Sequence, residues 1–545
     1  MSELKKKRIA VILCLLFIGL GLFLVRFAAD TSLPAQAKQA YENYQLPLAT
    51  ISITGDEEDF WGYDKGILVE GRLFDEYKAE QVAEGRLTEE EAEELEPNEL
   101  MDANFNHKEW IKQCEVTLTD AEKNILINDR VGLRISGNAS RKLCQKSFVI
   151  MSGKEYGSKN SRFYVNLGNE RINSYNKLRI HSGGQDLRET QLRDELIAKM
   201  AEAAGIEPVR ETMPVMVYIN NEFYGIGHLE NRVDEDYLAS YYGLQKENIE
   251  LFAGGIADAL EYLGYDSEKE YDFNDKALRE QLNSIMDVDN FLKYWTFNML
   301  TDNADWPHNN IVMWRNKGER EEGVAESDGR YRFVLSDMDV TFMAEEKSDP
   351  FDELNWGDTG DSYRFFEDIL EYEPYREEFV NLIMDQLTLS FNEDMNALWL
   401  ETIEEGYGEA FDFAQTVASS QIQFEYLTAH EEKTAELYDR IVSRKSRIYD
   451  YLYQYYDSGE GYLLKVTPGK DCRLQVSSML LEPSEEEFVS LRSLGCCLEL
   501  QAERLTAGDG QLFWYVNGEK MGDISQKLVL DPASVQDGAI EVQVR

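Results

Sequence analysis

The chain has 545 residues, 43% of them hydrophobic and 12% aromatic, which is apolar matter for a sizeable core but too much chain for one core, so roughly two or three domains are expected. Its 103 acidic residues outnumber 55 basic ones and give a formal net charge of −48, a field that repels nucleic acid and anionic membrane surfaces and leaves a nucleotide dependent on a local basic pocket. The 6 cysteines contain no C-x-x-C pair, so neither a disulfide framework nor a zinc site is indicated.

Lys5, Lys6, Lys7 and Arg8 precede an uncharged apolar run from Ile9 to Val25, close to the shortest helix that spans a bilayer. The basic flank predicts a signal anchor over residues 1–30, with the N-terminus inside and the bulk of the chain outside as a single-pass membrane protein. Ala35-Gln36-Ala37 has the form of a signal-peptidase site and keeps a cleaved, secreted chain as the alternative. Residues 31–45 read as a polar linker. Leu46 to Thr54 alternates like a strand, and Trp61 to Gly71 reads as a turn and a short strand. Residues 74–104 are densely acidic without a good apolar face and read as a solvated insertion.

Strands are expected at Ile111 to Leu118 and Val131 to Ile135. The small-residue turn SGNAS then leads to a strand opened by Lys146. Such a turn exposes backbone N–H groups, and a Lys beside it can reach phosphates; an ordinary hairpin with surface basics fits the same residues. Lys177 to Ile180 is a short strand, and Asp186 is a candidate cap for a helix running to Ala204, ended by Gly205. Val215 to Asn220 and Glu222 to Leu229 predict a hairpin across Asn220-Asn221. In it His228 reads as a strand residue rather than a ligand. Asp287 is the candidate N-cap of an aromatic helix reaching Leu300. Met343 to Asp361 is acidic and loop-like. Residues from Phe365 to Leu452 are helical by pattern, with Arg440, Arg444, Lys445 and Arg447 expected on a solvated helix face. After a linker at Asp457 to Gly461, short alternating runs predict a small β-sandwich over residues 457–545.

The chemistry-bearing stretch is Thr301 to Phe342. Asp305 is followed five positions later by Asn310, and Asp337 and Asp339 close the strand-like run Tyr331 to Ser336. A phosphoryl-transfer site needs one carboxylate near the acceptor hydroxyl, then an amide oxygen and a carboxylate to hold a divalent metal. Two Asx-capped turns would use the same residue types.

Six stretches in order resemble the CotH-type kinases: LATISITGDEEDFWGYDKGILVEG, LRISGNASRKLCQKSF, RETQLRDELIAKMAEAAG, VMVYINNEFYGIGHLENRVDEDYL, DNADWPHNNIVMW and VLSDMDVTF, together spanning roughly residues 46 to 452. The resemblance implies an α+β, atypical protein-kinase-like two-lobed core over residues 46–456. It also implies Mg²⁺- or Mn²⁺-dependent transfer of phosphate from ATP to Ser/Thr of an envelope, coat or exported protein of a bacterial cell. On the family's pattern Asp305 is the catalytic-loop aspartate. Asn310 and Asp337 are metal ligands, with Asp339 as second ligand or orienting partner. Lys146 pairs phosphate with Arg134, Ser140 and Arg141 nearby, and Glu230 is a weaker cofactor-site match. The sequence departs from ordinary kinases in having SGNAS for G-x-G-x-x-G and no H-R-D before Asp305. A non-catalytic cell-surface adhesion module on the same scaffold is the alternative function.

Overall fold

The computed structural model describes residues 48–168, 171–266, 269–343, 360–418, 430–456, 461–505 and 511–545. The apolar run Ile9 to Val25, the linker after it, and most of the acidic loop after Met343 lie outside the described residues. Among the described residues no helix is long and apolar enough to cross a membrane.

The N-terminal lobe is a closed barrel. Its strands are β1 (Ala49–Thr54), β2 (Lys112–Thr119), β3 (Ile125–Ser136), β4 (Ser147–Met151), β7 (Lys177–His181), β8 (Thr212–Ile219) and β9 (Glu222–Asn231), in the order β1-β2-β3-β4-β7-β9-β8. A short side hairpin supplies β5 (Phe163–Tyr164) and β6 (Ser174–Tyr175). Neighbours run antiparallel except at the seam, where β1 pairs in parallel with β8 and Ala49 faces Val215. Alternation fills the interior with Ile51, Ile53, Val116, Leu118, Leu133, Phe148, Ile150, Leu178, Ile180 and Leu229, all buried. The β8–β9 turn is Asn220-Asn221 as expected, both residues at positive φ (50° and 70°), where Asn is tolerated.

Two local expectations are corrected. The short strand within Trp61 to Gly71 is a run of turns feeding the helix Gly71–Ala83. The acidic stretch after it is not merely solvated: Phe74, Ala103 and Phe105 form a separate small core, and Thr88 and Glu91 cap the helix Glu89–Glu93 reciprocally.

The second lobe is built around the helix Val288–Leu300, whose N-cap is Asp287, accepting from the Asn290 N–H at 3.2 Å. A three-stranded sheet of β10 (Ile249–Gly254), β11 (Ile311–Asn316) and β12 (Arg332–Val334) packs beside it. The helices Gly360–Glu371, Glu373–Leu389, Glu393–Ala418 and His430–Tyr456 complete the lobe. Arg440 and Arg444 do not line a solvated face as expected. The Arg444 guanidinium, 2% exposed, donates to the Met299 and Leu300 carbonyls at 2.8 and 3.2 Å, and Arg440 donates to Phe342 O at 3.0 Å. They donate to carbonyls at the C-terminus of the central helix and at the loop beyond it.

The C-terminal strands are β13 (Gly461–Thr467), β14 (Cys472–Val476), β15 (Met479–Leu481), β16 (Phe488–Ser493), β17 (Leu498–Arg504), β18 (Phe513–Val516), β19 (Glu519–Asp523), β20 (Leu528–Leu530) and β21 (Ala539–Val544). They form a five-stranded sheet, β16-β13-β21-β18-β19, and a four-stranded sheet, β15-β14-β17-β20. This unit docks on the helix Glu373–Leu389 through a buried ion pair between Arg492 and Asp385. The other oxygen of Asp385 accepts from Ser478 N at 2.8 Å and Ser478 Oγ at 2.7 Å.

Candidate active site

The period of two along β7 and β9 builds one wall of the site. Leu178, Ile180 and Leu229 point into the barrel, so Arg179, His181, His228 and Glu230 point out, toward the helical lobe. Arg179 and Glu230 are cross-strand partners, paired at 3.1 Å, and the second Glu230 oxygen lies 3.5 Å from Arg210. Arg232 continues the outward series. Burial and then the fields of Arg134 and Arg179 push its guanidinium below its ordinary pKa. These arginines form a local basic pocket on a strongly acidic chain.

The opposite wall comes from the segment after β12. Asp337 sits at φ 55°, a left-handed conformation, and its Oδ1 lies 3.7 Å from Arg179 and makes no hydrogen bond. Asp339 is buried and accepts from the Gln185 N–H at 2.7 Å. Burial, then the charges of Asp337 and Asp194, raise its carboxyl well above the usual range. The loop after β7 carries Gly184 at φ 54°. A Cβ there would strike the Asp339 carboxylate and stand 3.1 Å from His181 Nε2. One oxygen each from Asp337 and Asp339 and a ring nitrogen of His181 lie within 4.8 Å of one another. Two carboxylates, an imidazole and unpaired donor atoms fit a divalent cation.

The expected site residues separate into two groups. Asp305 lies in the turn after the central helix, where burial and then the Asp337 charge raise its carboxyl above its ordinary value. Asn310, at φ 63°, immediately precedes β11. Glu230 and Arg134 belong to the outward wall, Arg134 opposite Val149. Lys146 is placed elsewhere. It has the parity of Phe148 and Ile150, so it turns away from Arg179. Its ammonium donates to Arg141 O at 2.7 Å and Leu143 O at 3.0 Å and lies 4.3 Å from the Phe105 ring centroid. Burial lowers it to about 8. Arg141 is likewise committed to backbone carbonyls, Asn106 O at 2.7 Å and Asn138 O at 3.0 Å, and Ser140 lies within the same 3₁₀ turn, Ala139–Lys142. Lys146 and Arg141 therefore tie the SGNAS turn to the acidic insertion.

Sequence reasoning passed over Arg179, Arg210, Arg232 and His181. For Arg179 and His181 the signal was present as outward-parity polar residues on a strand whose alternate residues are apolar, while Arg210 and Arg232 lie just outside β8 and β9. Beneath them, His181 Nδ1 is 2.7 Å from Asp194, and His228 Nδ1 meets Glu195 at 2.5 Å and Tyr407 Oη at 2.6 Å. Asp186 does not begin the helix as expected. The helix starts at Arg193, and Asp186 is a buried acceptor for the Arg193 N–H at 3.0 Å and is paired with its guanidinium.

An α+β chain of barrel and helical lobes, with a cation-competent cluster facing an arginine wall, defines the class. The description CotH kinase protein matches residues 133–406, half of the chain, and the chain belongs to the CotH kinase family. Among solved structures, the Helicobacter pylori proinflammatory kinase CtkA is similar at 13% identity over 59% of this chain and 92% of that one, with a TM-score of 0.21. No curated protein matches the chain.

Proposed function

We propose that this chain transfers phosphate from ATP to Ser/Thr hydroxyls of an envelope, coat or exported protein, using Mg²⁺ or Mn²⁺. We further propose that the apolar run Ile9 to Val25 holds it at the bacterial cell membrane with its bulk outside. The observation that carries the reading is the meeting of the two walls: the Arg179 guanidinium lies 3.7 Å from Asp337, so phosphate-binding cations and cation-binding carboxylates share one cleft. Arg134, Arg179, Arg210 and Arg232 would hold the phosphates. Asp337, Asp339 and His181 would hold the metal, with Asn310 beside them on the family's pattern; when bound, it neutralises charge on the transferring phosphoryl group. Asp305 would orient the acceptor hydroxyl and take its proton, a role helped by its raised pKa.

The test is incubation of the purified chain with γ-labelled ATP and Mg²⁺ or Mn²⁺, alongside Asp305→Ala and Asp337→Ala. Protein-bound label in the wild type and in neither variant is the expected result. Absence of label, with no nucleotide-dependent rise in melting temperature, overturns the reading in favour of a non-catalytic surface module.

A further inference from the structure

We infer that His181 is a nitrogen ligand of the metal at this site, and that the site therefore prefers Mn²⁺ and later transition metals over Mg²⁺. The inference rests on the metal-dependent reading above and goes beyond it by assigning a donor and a selectivity.

Three observations carry it. His181 is fully buried, yet its Nε2 has no hydrogen-bond partner. A buried, unsatisfied ring nitrogen is costly unless something else completes it. Its Nδ1 lies 2.7 Å from an Asp194 carboxylate oxygen. With Nδ1–H donating to that oxygen, Nε2 is the acceptor nitrogen of the ring and presents its lone pair. This is the carboxylate–histidine arrangement that orients metal-bound imidazoles. Finally, Nε2 and Asp339 both border the space above Gly184, and a ring nitrogen of His181 falls within 4.8 Å of the Asp337 and Asp339 oxygens.

His181 also groups with Asp194 and Glu230, but that second triad is already used. Asp194 accepts from His181, and Glu230 is paired with Arg179 at 3.1 Å and flanked by Arg210 at 3.5 Å. Glu230 is engaged by two guanidiniums, one at hydrogen-bond distance, whereas Asp337 meets Arg179 only at 3.7 Å and Asp339 accepts from a backbone N–H, so the ion belongs on the Asp337 side. Mg²⁺ takes oxygen ligands and octahedral geometry, whereas imidazole suits the later first-row metals.

The experiment is Mn²⁺ binding to the full chain, followed by the loss of the free-ion EPR signal, with Mg²⁺ as competitor and with and without ATP. Wild type is compared with His181→Gln and Asp194→Asn, and nitrogen coupling to bound Mn²⁺ is read by electron spin echo. Wild type is expected to favour Mn²⁺ by about tenfold or more and to show imidazole nitrogen coupling. His181→Gln should lose the coupling and most of the preference. Asp194→Asn should weaken Mn²⁺ by ~10–100-fold.

Bound Mn²⁺ without nitrogen coupling in the wild type overturns the inference, and needs no variant to fold. Equal Mn²⁺ affinity in wild type and a folded His181→Gln overturns it as well. Neither result touches phosphoryl transfer, which the labelled-ATP assay judges separately. Absence of Mn²⁺ binding under all conditions also overturns the inference, and the same assay then decides whether the kinase reading falls with it.

Discussion

Arg179 and Glu230 stand opposite one another on β7 and β9, paired at 3.1 Å, and the same guanidinium lies 3.7 Å from Asp337 in the other lobe. Glu230 thus aims Arg179 across the cleft instead of ligating metal. Arg179→Met keeps the stem of the side chain and removes the charge. Phosphoryl transfer should fall by about 10²-fold or more, as when a preorganised donor to developing charge is lost. Labelled-ATP turnover measures this, and circular dichroism checks the fold. Unchanged turnover would remove Arg179 from the phosphate wall.

Gly184 occupies a left-handed conformation (φ 54°), and a Cβ there meets the Asp339 carboxylate. Gly184→Ala should cost about 1–3 kcal/mol of stability through backbone strain. It should also abolish the metal-dependent rise in melting temperature by filling the space between Asp339 and His181. A full metal shift in this variant would place the ion elsewhere.

His228 is buried, which opposes its charge, but Glu195 outweighs burial and raises its pKa from 6.5 to about 9. A pKa raised on folding adds stability that is complete below 6.5 and is lost as pH rises through 9. The melting temperature should therefore fall between those values. His228→Gln should flatten that part of the profile. A wild-type melting temperature constant across the window would count against a charged His228.

Arg492 and Asp385 form the buried link between the C-terminal sheets and the helix Glu373–Leu389. Arg492→Met leaves a buried carboxylate with Ser478 as its remaining partner. The cost should be about 3–5 kcal/mol. It should appear as an early calorimetric transition of the β unit and faster proteolysis between the units. Asp385→Asn with Arg492→Met should recover part of that loss, because the uncompensated charge is then gone.

Much of the architecture was legible in the sequence because burial leaves a period. The hairpin at Asn220-Asn221, the cap at Asp287 and the alternating strands after residue 460 are local patterns, and the structure contains each of them. Asp305 and Asp337 could be grouped because they lie in one stretch of sequence. Arg179, Arg210 and His181 could not be grouped with them, since only barrel closure and docking of the helical lobe bring those residues to the cleft. Lys146 was attached to phosphate by resemblance. Its strand parity and the carbonyls of Arg141 and Leu143 place it on the other side of β4. The buried roles of Arg440 and Arg444 were hidden because a charged helix face looks the same in sequence whether it meets water or backbone carbonyls.

The parallel seam of the barrel joins the first strand to the second-last. β1 leaves the ribosome early, yet Ala49 waits for Val215 before its outer edge is covered. Closure is a long-range event, slow by the usual dependence of folding rate on contact separation. A nascent or truncated chain that stops short of β8 carries two open strand edges, a template for pairing with other chains. The acidic charge spread over the molecule then has a use during biosynthesis, because like-charged chains are kept apart while the seam is still open.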